Sequence, residues 1–233
     1  LALLVLSTLF CLALIGVRLQ VMGIGLPDLQ QTEDIWALRN TTTFLFLVWN
    51  LFLAWIPYGI ALALEPLSRR FRSSLLSVTL VLAWLLFFPN APYILTDLLH
   101  LRVRHPIPHW YDLMLIASFA WTGLLLGFLS LHEVQGFVAR RWGKVVGGLF
   151  STGAIFLGGL GIYLGRYLRW NTWDILRNPF SIVGDAWTSL WHPAQHSGEG
   201  IIWVSAIFLL LGYWTLRTLM GGASSISSPK NKS

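Results

Sequence analysis

The chain has 233 residues, of which 55% are hydrophobic and 11% charged, less than half the roughly 25% charged share of a soluble domain, so a water-soluble globular protein is excluded. A formal net charge of +6 suggests nucleic acid only until positions are read: the basic residues gather in short loops between apolar runs, an orientation signal that needs no nucleic-acid partner. The single cysteine, Cys11, lies inside an apolar run, which removes a disulfide framework and a paired-cysteine metal knuckle from consideration.

Windows of about 20 apolar residues, the length that crosses roughly 30 Å of hydrocarbon, fall at 1–24, 42–64, 74–94, 112–138, 145–167 and 200–220. Residues 1–24 read as a retained span and not a signal peptide, since neither a basic region nor a small-residue cleavage site accompanies them. Arg69, Arg70, Arg72, Arg140, Arg141, Lys144, Arg217, Lys230 and Lys232 flank one set of span ends; Arg39, Arg102, Arg104, Arg166, Arg169 and Arg177 flank the other, with Arg18 near the end of the first span. The positive-inside bias, nine against six, predicts a multi-pass protein of the cell membrane with both termini cytoplasmic. The sequence thus predicts an all-α polytopic transmembrane helix bundle of about six spans, one domain over residues 1–220, with a disordered polar tail, "GGASSISSPKNKS", over 221–233.

In the second span Asn50 lies below the outer end in "VWNLFLAWIPYG", where a buried amide requires a partner; ahead of it Asn40 reads as an N-cap. The third span carries the densest polar pattern. In "FFPNAPYILTDLLHL", Pro89 and Pro92 loosen the helix as it reaches the outer leaflet. If α-helix resumes at Pro92, then Tyr93, Asp97, His100 and Arg104 share one face at spacings of four, three and four. A carboxylate and an imidazole one turn apart are able to share a divalent metal, with Asp112 as a further ligand, or to work as an acid and base. Against that stands a structural reading, in which Asn90 and Tyr93 satisfy the proline-broken backbone and Asp97 pairs with an arginine.

In the fourth span Gly123 and Gly127, and in the fifth Gly161 and Gly165, stand four apart and predict close helix contacts within the chain. The fifth span closes in "GIYLGRYLRWNTWD", whose continued helix places Arg166, Arg169 and Trp173 on one face beside Asn171 and Asp174, an arrangement suited to a phosphate. Downstream, Phe180, Val183, Trp187 and Trp191 fall along one side of a short helix near 179–191, predicted to lie in the interface plane as a lid over an outer pocket. His192 and His196 bracket Pro193 and make a weak metal signal.

"FPNAPYILTDLLHL", "WYDLML" and "GIYLGRYLRWNTWD", with "RN" ahead of the second span, resemble the bacterial integral-membrane proteins grouped as domain of unknown function 1361, from about Arg39 to Asp174 and on through the last span. The resemblance implies a multi-span fold and joins Asn90, Tyr93, Asp97, His100, Asp112, Arg166, Arg169, Asn171 and Asp174 in one constellation; no activity comes with it. Two functional readings follow. In one, Asp97, His100 and Asp174 do chemistry, with or without a metal on Asp97, His100 and Asp112. Asn50, Asn90, Tyr93, Arg166, Arg169 and Asn171 bind an anionic lipid or polyprenyl phosphate for a hydrolase or transferase. In the other, the chain is a structural or transport-accessory protein whose polar cluster locks helix ends. No HExxH, GxSxG or Walker pattern occurs.

Overall fold

The computed structural model describes residues 1–24, 44–102, 105–170, 172, 174–191 and 200–226. Among the described residues six helices are long and apolar enough to cross a membrane and no strand occurs, so the chain is an all-α, multi-pass helix bundle. The spans are α1 (Ala2–Val21), α2 (Leu45–Phe71), a broken third span, α5 (His109–Trp142), α6 (Lys144–Arg166) and α9 (Gly200–Ile226). The third span joins α3 (Ser74–Phe87), the single turn α4 (Asn90–Tyr93) and a 3₁₀ helix, η1 (Ile94–His100). Between α6 and α9 stand the short α7 (Asp174–Arg177) and α8 (Pro179–Trp191). Each predicted span is present, and α9 runs six residues beyond the predicted end at 220.

The chain divides into two compact units, Leu1–Ser130 and Leu131–Ser233, with α5 contributing to both. Unit 1 has a core of Leu4, Cys11, Ile15, Phe44, Leu47, Leu51, Ala91, Ile94, Leu115, Ile116 and Phe119. Hydroxyl and indole contacts tie its spans together: Ser7 and Thr122 share a hydrogen bond at 2.5 Å, Trp55 Nε1 donates to Thr8 Oγ1 at 3.1 Å, and Tyr111 donates its hydroxyl to Leu14 O at 2.7 Å. The turn between α2 and α3 is set by Arg72, which takes a left-handed φ of 48° as the C-cap, and by Ser73, whose Oγ accepts the Leu76 amide at 3.2 Å as N-cap. Buried Ser68 and Ser77 then bridge the two helices at 2.9 Å.

The predicted glycine contact holds at Gly123 and Gly127, where α5 meets the broken third span: a Cβ on Gly123 would fall 2.8 Å from Ala91 O, and one on Gly127 3.2 Å from Ala91 Cβ. In unit 2 a tight approach occurs at Gly159, whose Cβ would stand 2.8 Å from Ile202 O and 3.1 Å from Ala206 N, so α6 and α9 touch through backbone. Leu160, Tyr163 and Ile202 form the core beside that contact, with Ala186 and Leu190 of α8 packed on it. Buried Gln135 accepts a hydrogen bond from the Tyr213 hydroxyl.

Candidate functional site

Two prolines reshape the third span. Pro89 and Pro92 have no amide hydrogen to donate, and the Asn90 side chain takes up one freed carbonyl, donating Nδ2 to Phe87 O at 3.0 Å. Beyond Tyr93 the chain winds as a 3₁₀ helix and not as the predicted α-helix. With three residues per turn, side chains at i and i+3 eclipse, so the shared face is Ile94, Asp97 and His100, and Tyr93 falls out of it. Arg104 lies outside the described residues. The proline-broken turn leaves both windings open, and the 3₁₀ one is the winding that buries Ile94 and Asp97 together.

That face points into unit 1. Ile94 is fully buried and Asp97 is 1% exposed, while His100 is half-buried. Asn50, six residues into α2, donates Nδ2 to Asp97 Oδ2 at 2.8 Å, so the buried amide predicted to need a partner finds it in the buried carboxylate. Thr96 turns its hydroxyl back onto Tyr93 O at 2.8 Å. The His100 ring meets Phe46 edge-on, centroids 5.2 Å apart, which fixes the imidazole near the start of α2.

Asp112, expected as a further metal ligand, forms a buried ion pair. Its Oδ1 accepts Arg18 Nε at 2.9 Å and its Oδ2 accepts a second guanidinium nitrogen at 3.3 Å; both residues are 1% exposed. The guanidinium carbon lies 4.3 Å from the centroid of the Phe44 ring, and Met22 Sδ accepts a further N–H at 2.9 Å. Arg18 was left unassigned by the span count, yet a cation at membrane depth demands a partner, and that demand is the signal that could have found it. Phe44 stands edge-on to Phe46 at 6.0 Å, so the ion pair connects to His100 through two rings. Among the described residues no group of three or more His, Cys, Asp or Glu stands together.

The remaining predicted residues belong to unit 2. α6 ends at Arg166; Arg169 then takes a left-handed φ of 59°, and the Trp170 amide folds back to Leu164 O at 3.1 Å. The chain turns there, so Arg166 and Arg169 do not continue down one helical face as predicted. Arg166 is half-buried, Arg169 is exposed, and Asp174 opens α7. Trp170 Nε1 donates to Asp185 Oδ2 at 2.8 Å, tying this turn to α8. Asn171, Trp173, His192 and His196, like Asn40 ahead of α2, lie outside the described residues.

No curated protein and no solved structure matches this chain. A family model described as a protein of unknown function (DUF1361) matches residues 49–213, from just before Asn50 to Tyr213, and so takes in Asp97, His100, Asp112 and the α6–α8 turn while leaving out Arg18. That match covers well over half of the 233 residues: the chain belongs to the DUF1361 family of proteins of unknown function.

Proposed function

We propose that this multi-pass protein works at the headgroup level of the cell membrane, with both termini cytoplasmic, and that Asp97 and His100 are an acid–base pair acting on a lipid-type substrate. One observation carries the reading: a carboxylate 1% exposed, held by the Asn50 amide at 2.8 Å, stands one 3₁₀ turn from a half-buried imidazole. Holding an ionisable group at membrane depth is expensive, and its retention there favours a functional use. In this role Asp97 orients the imidazole and stabilises its cationic form, and His100 takes the proton from an attacking water or hydroxyl. Hydrolysis or transfer of a phospholipid or polyprenyl phosphate headgroup fits a base at that depth. The orientation rests on nine basic residues at one set of span ends against six at the other.

A structural lock is the second reading, and the Arg18–Asp112 pair favours it, since both members are 1% exposed and bound to each other. The two readings divide the network: the ion pair holds α1 to α5, and the Asp97–His100 turn does the chemistry. The test is turnover in vesicles containing phosphatidylglycerol and a polyprenyl phosphate, with released phosphate and altered lipids read by mass spectrometry. Wild type should convert one of them, while Asp97→Asn and His100→Ala should be inactive at unchanged melting temperature. Conversion of neither lipid by wild type, or undiminished activity in both variants, defeats the acid–base reading. Collapse of both variants' melting temperature supports the lock.

A further inference from the structure

The apolar side of α8 is turned away from the core of unit 2. Phe180 is 91% exposed, Val183 65%, Trp187 63% and Trp191 64%, and the last two rings lie 5.5 Å apart. The opposite side packs inward: Ile182 and Ser189 are buried, and Ala186 and Leu190 rest on the Leu160, Tyr163 and Ile202 core. At 13 residues and 1.5 Å per residue, α8 is about 20 Å long, too short to cross the roughly 30 Å hydrocarbon layer. It follows the end of α6 and precedes α9, so it belongs to one membrane face. α9 itself exposes Trp203, Val204 and Ile207, an apolar surface of the kind that lipid covers.

We propose that α8 is an in-plane anchor whose Phe180, Val183, Trp187 and Trp191 face enters the headgroup boundary of an anionic leaflet, with Arg169 and Arg177 holding lipid phosphates. Trp rings suit that depth because an apolar body and an N–H face different media. Charge agrees. Arg169 and Arg177 are exposed, whereas Asp185 is committed to Trp170 through the 2.8 Å hydrogen bond. That bond and the buried Ile182 edge hold α8 at a fixed attitude, so it serves as a floor at the leaflet and not as a swinging lid. The anchor stands independently of the Asp97–His100 chemistry.

The test uses nitroxide labels on Phe180→Cys, Val183→Cys, Trp187→Cys and Trp191→Cys in a Cys11→Ser background, reconstituted in phosphatidylcholine vesicles with and without phosphatidylglycerol. All four labels should collide more with oxygen than with a water-soluble nickel chelate. In a companion measurement, the Arg169→Gln, Arg177→Gln double variant should retain phosphatidylglycerol roughly tenfold to thirtyfold less than wild type in native mass spectrometry, at unchanged melting temperature. Labels that favour the nickel chelate would put the face in water, and labels shielded from both would put a second protein copy over it; either overturns the anchor. Unchanged phosphatidylglycerol retention overturns the assignment of the arginines.

Discussion

Breaking the Arg18–Asp112 pair offers the sharpest quantitative test of the fold. At 2.9 Å and an effective dielectric of about 20, opposite unit charges attract by roughly 6 kcal/mol before desolvation is subtracted. With both groups 1% exposed, that subtraction is large, so the pair's net worth is small while an orphaned partner is severe: removing one member of a buried pair costs about 3–5 kcal/mol. Asp112→Asn keeps the shape and removes the counter-charge of Arg18 beside Phe44; Arg18→Met removes the guanidinium that the Asp112 carboxylate accepts from. Each should lower the melting temperature in detergent by roughly 10 °C, taking about 2–4 °C per kcal/mol for a chain of this size. The double variant Arg18→Met, Asp112→Leu should recover most of the loss, because no buried charge remains. Equilibrium unfolding of wild type, Arg18→Met, Asp112→Leu and the double variant closes the cycle and gives the coupling energy. A double variant as unstable as the two single losses added together, or single losses under about 1 kcal/mol, would show that the charges do not meet in a dry interior and would refute the reasoning.

Two smaller perturbations probe the same physics elsewhere. Asn50→Leu removes the amide that donates to Asp97 and should cost about 1–3 kcal/mol for the carboxylate left short of a donor, whereas Asn50→Asp should cost more by setting a second carboxylate against the first; chemical unfolding ranks the two. Gly159→Val should destabilise by roughly 1–3 kcal/mol, because its Cβ would press on Ile202 O, while Gly153→Ala, with nothing within 4 Å of the added carbon, should leave the melting temperature unchanged or slightly raised.

Much of the site's address was readable in the residues. Asn50, Asp97 and His100 stand out because polar groups near the end of an apolar run require partners, and Asn50 and Asp97 supply each other. The face was misread by one residue. α-Helical spacing selects Tyr93, while the 3₁₀ winding after Pro92 selects Ile94, and a proline-broken turn leaves both windings open until packing chooses. The stripe of Phe180, Val183, Trp187 and Trp191 was legible as one side of a helix, and its direction was not: the buried side is the one carrying Ile182 and Ser189, which fits the core around Tyr163. Arg166 and Arg169 were placed on one face by extending a helix that in fact turns at Arg169.

What the sequence by itself determined is the solvent and the number of crossings, because hydrophobic runs of span length answer to the thickness of a bilayer and to nothing else in the chain. It also determined the class of family, through motifs that are local. Pairings were decided only by the tertiary structure. Arg18 and Asp112 are separated by 94 positions, and no local rule says which of the chain's acids lies within 3 Å of that guanidinium. Neighbourhood in a bundle is set by which helix surfaces pack most closely, Gly123 against Ala91 and Gly159 against Ile202, and the buried charges take the partners which that packing brings within reach.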